Sequence, residues 1–290
     1  MTGSANGRHP RRAVDLVALD IDGTVLTPDH RIAPSTVSAV VAARLRGVRV
    51  VLASSRGPVA LAAIQEQLDL RDEWFIGYQG ALVGRRVEEG LQVLAEQPLD
   101  RSAASEVEDR AIRLGLSVGR YIGSRWRVPC VTEAIRVEAA LTGETPVPGT
   151  PRERDVDGAP HKVMAIAGSS VEIPALHDLA RSLPPGVSGT FSHRTFLEMT
   201  AAGVDKASGL RALLAHLGIP AERTAAIGDG LNDLALFSAV SRPIAMGHAP
   251  AEVKAAAVWI TSTNADDGVA HALAHLGVAP RPDPAPPPSR

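Results

Sequence analysis

Residues 14–24 read VDLVALDIDGT, an apolar run that ends in two acidic residues. Val14 to Leu19 has the aliphatic, β-branched character of a strand buried on both faces of a sheet. Asp20 and Asp22 stand at i and i+2 directly behind it. At that place carboxylates leave the buried sheet and enter the crevice beyond the strand's carboxyl end, where open parallel sheets bind their ligands. Gly23 permits a sharp turn and the close approach of a ligand. Two carboxylates this near repel each other, so one is driven towards its protonated form unless a cation neutralises them. Hard oxygen ligands of this kind suit Mg²⁺. Taken alone, the stretch also reads as a surface turn of the D-G type.

Outward from this stretch, short apolar strands alternate with amphipathic helices. A helix is expected from Ser35, as N-cap, to Arg46, stopped by Gly47. Next come a strand (Val48–Ala53), a helix (Pro58–Leu68) and a third strand (Trp74–Gly77). Towards the other end lie strands at Thr224–Ile227, Pro243–Met246 and Val258–Thr261, with a helix at Asn232–Ser238. This rhythm implies an α/β fold, a Rossmann-like parallel-sheet core with helices on both faces. Residues 84–195 break it. They hold a hairpin (Ala81–Leu94), a helix (Ser102–Leu114), a strand pair (Ser117–Val128) and a helix (Thr132–Leu141). A Pro/Gly-rich link (Thr142–Pro151), a strand (Lys162–Ala167) and a helix (Pro174–Leu183) follow. Because the sheet rhythm resumes afterwards, residues 84–195 are expected to form a second α/β module inserted into a core of 13–83 and 196–278. Flexible connections are expected near Gly84 and Thr195. Residues 1–12 and the proline-rich 279–290 read as disordered tails.

Three further motifs fall at strand ends or helix starts. Ala53-Ser54-Ser55-Arg56 offers a hydroxyl, free backbone N–H groups and a guanidinium, the parts of an anion site. Its plainer reading is a helix cap. Lys206, in Gly203-Val204-Asp205-Lys206, precedes an amphipathic helix (Leu210–Leu217) and in isolation reads as a solvated helix start. Gly228-Asp229-Gly230-Leu231-Asn232-Asp233 again puts carboxylates and glycines after a strand, with Asp229 placed to join Asp20 at one cation. Together the four stretches supply a nucleophile, an acid/base, a phosphate cradle, a cation and metal ligands. Those are the parts that phosphoryl transfer through an aspartyl phosphate requires.

Composition narrows the rest. The 290 residues carry a formal net charge of −2, which argues against a nucleic-acid-binding protein, and 3% aromatic residues, which argues against stacking on single strands. The single cysteine, Cys130, excludes an intrachain disulfide and is expected in the core. No apolar run approaches the ~20 residues of a membrane helix, so the expected compartment is the cytoplasm. His271 and His275 have i, i+4 spacing but no accompanying glutamate, and read as a solvated helix face. Arg125, Trp126, Arg127, His193 and Arg194 are candidates to face a substrate, with ordinary surface and core as the equal alternative.

The order DIDGT, Ser54, Lys206, GDGLND resembles the haloacid dehalogenase superfamily of phosphohydrolases, and within it the Cof-type group, whose large α/β cap lies between the second and third motifs. The likeness spans about Val14 to Leu276 and includes Gly77 to Ala81, Ala245 to Ala249 and Asn264 to Ala270. It implies that residues 84–195 are a substrate-selecting cap. It also implies that Asp20 is the nucleophile and Asp22 the general acid and base. Mg²⁺ would be held by Asp20, the Asp22 backbone carbonyl and Asp229, with Asp233 in support. Gly23, Ser54, Ser55, Arg56, Lys206 and Asn232 would hold the phosphoryl group or its loop. The implied partner is a small phosphorylated metabolite, and the chain a monomer or homodimer. The implied activity is Mg²⁺-dependent hydrolysis of a phosphomonoester such as a sugar phosphate. A phosphomutase or a non-catalytic binding module on this fold are the rival readings. Ser55, Gln79, Ala207 and His248 stand where glycine, asparagine, glycine and asparagine are common in the group.

Overall fold

The computed structural model describes residues 14–150 and 158–282. The expected tail at 1–12 lies outside these residues, as does most of that at 279–290. In chain order the strands are β1 (Leu16–Leu19), β2 (Arg49–Ala53), β3 (Phe75–Gly77), β4 (Leu82–Val87), β5 (Gly90–Glu96), β6 (Ser117–Ile122) and β7 (Arg125–Val128). They continue as β8 (Pro146–Pro148), β9 (Lys162–Ile166), β10 (Val187–His193), β11 (Phe196–Ala201), β12 (Thr224–Gly228), β13 (Arg242–Ala245) and β14 (Trp259–Ile260). The helices are α1 (Pro34–Leu45), α2 (Pro58–Gln67), α3 (Arg101–Arg113), α4 (Glu133–Thr142), α5 (Ile173–Arg181), α6 (Lys206–Leu217), α7 (Asp233–Ser238), α8 (Ala251–Ala255) and α9 (Gly268–His275).

The larger sheet has the order β14-β13-β12-β1-β2-β3-β4-β5 and is parallel up to β3. β1 is fully buried because it pairs on both sides, Leu16 to Leu19 facing Thr224 to Ile227 and Arg49 to Leu52. Strand side chains alternate in direction, so Val17 and Leu19 pack with Val40 of α1 and Leu273 of α9. Leu16 and Ala18 pack with Leu213 of α6 and Leu236 of α7 on the other face. The expected doubly covered parallel sheet is therefore present. It brings the carboxyl ends of β1, β2 and β12 side by side, and the sequence motifs follow those ends.

The smaller sheet has the order β10-β11-β9-β6-β7-β8. One face packs on α3 and α5, with Val118, Val163, Ala165, Leu197 and Met199 against Val107, Ala111, Leu176 and Leu179. Alternation sends Lys162, Met164 and Ile166 of β9 and Glu198 of β11 to the opposite face, towards the larger sheet.

The expected junctions at 84 and 195 fall inside these sheets. β4 and β5 form an antiparallel edge on the larger sheet, so Gly84 lies within a core strand paired with Phe75. Residue 195 lies in the β10–β11 turn, and β11 belongs to the smaller sheet. The sheets change hands instead between Glu96 and Leu99 and between Ala201 and Lys206. Two smaller corrections follow. The cap of α1 is Ala33, with Pro34 opening the helix, whereas Ser35 donates its hydroxyl to Asp267. Cys130 is exposed rather than a core residue, because it follows Pro129 in a bend beyond the end of β7.

Candidate active site

The turn after β1 runs from Ile21 to Val25 and closes with the Leu26 N–H on the Ile21 carbonyl at 2.9 Å. Gly23 sits at φ 85°, and a Cβ there would fall 2.3 Å from Asp229 Oδ2. Glycine at this position thus lets the loops after β1 and β12 meet. Thr24 completes the meeting by donating its hydroxyl to Asp229 Oδ1 at 2.9 Å.

Beneath this contact lies an ion cluster. Lys206 Nζ is 2.5 Å from Asp20 Oδ1 and 2.6 Å from Asp233 Oδ1. Lys206 is 1% exposed, so the reading as a solvated helix start is overturned. Its helix begins earlier than the expected Leu210, because the Asp205 side chain caps it and Ser208 reciprocates in a capping box. Asp233 Oδ2 accepts the backbone N–H groups of Asp229 and Gly230, both at 3.0 Å. Asp233 therefore spends both oxygens on the lysine and the loop. Burial pushes the Asp20 carboxyl well above its usual range, Asp233 adds to the push, and Lys206 opposes it. The Lys206 ammonium is held charged: burial disfavours it, but Asp20 and Asp233 more than offset that. Burial also raises Asp229, against the pull of the Thr24 hydroxyl.

Asp20, Asp229 and Asp233 each bring a carboxylate oxygen within 4.8 Å of the other two. Three carboxylates against one ammonium leave a deficit of two positive charges, the charge of one divalent ion. Hard oxygen donors suit Mg²⁺ or a similar cation, so the residues present fit such a group. The Asp22 carboxylate lies outside this group. It is gripped by Arg56 instead, Nε to Oδ2 at 2.9 Å and Nη2 to Oδ1 at 2.6 Å. This paired geometry is the strong form of a carboxylate–guanidinium contact. It gives Arg56 a partner that the sequence alone did not suggest.

The loop after β2 carries the second motif. Ser54 is 1% exposed and accepts the Arg56 N–H on its hydroxyl at 3.2 Å. The Ser55 carbonyl accepts Lys162 Nζ from β9 at 2.8 Å. The loop after β3 takes positive φ at Tyr78, Gln79 and Gly80 in succession. A Cβ on Gly80 would fall 2.0 Å from the Asp205 carbonyl oxygen, so the α6 entry fixes this turn by close approach. Buried Gln79 then joins Asn232 at 3.4 Å to Glu198 at 3.3 Å. Tyr78 reaches Gly123 in the smaller domain, hydroxyl to carbonyl at 2.8 Å.

Together these residues floor a cavity of about 840 Å³ whose roof is the smaller domain. Asp20, Asp22, Ser54, Ser55, Arg56, Asp229 and Asn232 line it, whereas Gly23, Lys206 and Asp233 are not among the lining residues. Of the roof candidates, His193 lines the cavity. Trp126 is instead buried against Tyr121, ring centroids 5.3 Å apart. Arg125, Arg127 and Arg194 are not among the lining residues. His275 stacks on Trp259 at 3.9 Å and takes no part in a metal cluster among the described residues. Missed by the sequence reading were Glu138, Glu144, Lys162 and Glu198. Only the in–out alternation of β9 and β11 marks Lys162 and Glu198, and nothing local marks the other two.

A haloacid dehalogenase-like hydrolase family model matches residues 17–273. The chain is 30% identical over 270 residues to a Streptococcus pyogenes serotype M6 protein named "Putative phosphatase M6_Spy0533", covering 90% of this chain and 97% of that protein. It is 27% identical over 262 residues to the Bacillus subtilis 5-amino-6-(5-phospho-D-ribitylamino)uracil phosphatase YcsE, covering 90% and 95%. Among solved structures, a haloacid dehalogenase-like hydrolase from Bacteroides thetaiotaomicron superposes with a TM-score of 0.81 at 27% identity, over 91% of this chain and 99% of that one. A hydrolase with a parallel-sheet α/β core roofed by a second α/β domain is thus the class defined here. The chain belongs to the haloacid dehalogenase-like hydrolase family, and it is a phosphatase. No helix among the described residues is long and apolar enough to cross a membrane.

Proposed function

We propose that this phosphatase hydrolyses small phosphomonoesters through a phosphoryl-aspartate on Asp20, with Mg²⁺ as its cation. The observation that carries this reading is the buried cluster of Asp20, Lys206, Asp229 and Asp233 at the floor of a cavity large enough for a phosphorylated metabolite. Mg²⁺, held by Asp20, Asp229 and the Asp22 backbone carbonyl with Asp233 in support, would offset phosphoryl charge and draw the ester oxygens towards Asp20.

The chain's own residues supply the rest. Asp20 attacks phosphorus through a carboxylate oxygen, and the bond from phosphorus to the ester oxygen breaks. Asp22 gives its proton to that departing oxygen. Asp22 then takes a proton from a water that attacks the phosphoryl-aspartate, and inorganic phosphate leaves with Asp20 restored. To do this the Asp22 carboxylate must leave its Arg56 partner and take up a proton from water, which it returns to solvent after hydrolysis when the Arg56 contact re-forms. Lys206 fixes the Asp20 rotamer. Together with Ser54 and the N–H groups of Ser55 and Arg56, it offsets negative charge as the transition state forms. Asn232, tied to Gln79, orders the β12 loop. The roof excludes water during the first step.

The test uses the full chain with Mg²⁺ and p-nitrophenyl phosphate. Asp20→Asn is expected to lower kcat by at least ~10³-fold, the scale of losing a nucleophile, and excess chelator to stop the native chain reversibly. Undiminished turnover by Asp20→Asn would falsify the nucleophile assignment.

A further inference from the structure

The cavity roof is not electrically neutral. Helix α4 turns Ala134, Val137, Glu138 and Leu141 towards it, the i, i+3, i+4, i+7 stripe of one helix face. Most roof carboxylates there are already engaged. Glu198 accepts the Ser192 hydroxyl at 2.6 Å and lies 3.6 Å from Lys162. Glu172 accepts the Gly168 N–H at 2.8 Å, and Glu144 accepts the Ala60 N–H at the start of α2. Glu133 pairs with Arg136 at 2.9 Å. Among the described residues the Glu138 carboxylate has no hydrogen-bond or ion-pair partner. Lys162 is committed to the Ser55 carbonyl and lies 4.5 Å above the Tyr121 ring. A molecule entering the cavity thus meets in the roof one carboxylate without a hydrogen-bond partner and one ammonium, Lys162, already tied to the Ser55 carbonyl and lying beside Glu198.

On the reading that this cavity is the phosphatase site, we propose that Glu138 selects phosphomonoesters whose leaving group carries a primary amine and turns away those bearing a second anionic group. An unpaired carboxylate in such surroundings is costly, and an ammonium satisfies it through a charge-assisted hydrogen bond. A second carboxylate or phosphate on the substrate meets the Glu138, Glu144 and Glu198 carboxylates there, against which stand Lys162 and Arg56, each already bonded to a neighbour. Burial pushes Glu138 up to about 7, with Lys162 and Arg56 pulling down and Glu198 and Glu144 pushing further up. These are the charged groups that face it from β9, the β2 loop, β11 and the loop after α4. Discrimination therefore sharpens as pH rises through 7, for as long as the substrate amine keeps its proton.

The experiment compares glucosamine 6-phosphate, glucose 6-phosphate and 6-phosphogluconate on the full chain with Mg²⁺ at pH 8. The amine is expected to exceed the neutral sugar in kcat/KM by about tenfold, the scale of one charged hydrogen bond, with the gluconate poorest. Glu138→Gln should collapse the amine-to-hydroxyl ratio to within about threefold. Calorimetry on the Asp20→Asn chain reads the same preference in binding, independent of turnover. A ratio near one in the native chain, or one unmoved by Glu138→Gln in both measurements, overturns the proposal. Failure to hydrolyse p-nitrophenyl phosphate while the binding preference holds overturns the phosphatase mechanism instead.

Discussion

The two domains handle charge in opposite ways. In the core, each ionic group of the site is pinned by at least one neighbour, as Lys206 is by Asp20 and Asp233, Asp22 by Arg56, and Asp229 by Thr24. In the roof, polar groups are spread over separate strands and one helix, and Glu138 is left without a partner. The buried part of that cluster cannot be altered one residue at a time, because removing Lys206, Asp20 or Asp233 leaves the others buried without a counter-charge. A dispersed wall can. The contrast assigns chemistry to the core and choice of substrate to the roof.

Three substitutions sharpen or break that contrast. The largest effect belongs to Lys206→Met. It leaves two buried carboxylates, Asp20 and Asp233, without their ammonium, and kcat on p-nitrophenyl phosphate should fall by about 10³-fold with a loss of roughly 3 kcal/mol in stability. Denaturation in urea checks the second number, and native-like stability would break the picture of a crowded core. Asp22→Asn comes next. A drop of about 10²-fold in kcat, with KM nearly unchanged, is expected for loss of proton transfer. Equal losses in a substrate with a very good leaving group and in a poor one would point away from that role.

The smallest effect lies in the roof. Burial pushes the Glu138 carboxyl up to about 7 in the folded chain, above the 4.5 of a free glutamate. The folded state therefore holds this proton more tightly than the unfolded chain does. Its stabilising contribution is complete below about pH 4.5 and is lost as pH rises through 7. Glu138→Gln should match the native chain's stability at pH 4 and exceed it at pH 8, by no more than about 3 kcal/mol and less where solvent screens the group, read as the difference in melting temperature. Parallel melting curves across that range would place the carboxylate in water rather than in the cavity wall.

Which parts were legible beforehand follows the same division. DIDGT and GDGLND announce themselves because carboxylates beside glycines, directly after apolar strands, have few other uses. The core's parallel order followed from the spacing of strands and helices. The hairpin β4–β5 was visible as a hairpin, but its sheet was not, since alternation looks the same at the edge of either sheet. For that reason the sequence pattern alone points to a junction at residue 84, inside what is a core strand. Ser35 has the chemistry of a cap, but Pro34 stands at the first helical position and leaves the N-cap to Ala33. Lys206 looked like a solvated helix start because its depth depends on Asp20 and Asp233, 186 and 27 residues away. Glu138 and Lys162 carry no motif at all. Their meaning comes only from the cavity they share.

The aromatic contacts between the domains have one more consequence. Tyr78 of the core lies 5.6 Å from Tyr121 of the roof, and Tyr121 lies face to face with Trp126. Any swing of the roof away from the core hydrates one end of this stack and changes the light that Trp126 emits. The protein thus carries its own optical gauge of opening, with no added dye, and the two remaining tryptophans, Trp74 and Trp259, sit in the core as a steady background.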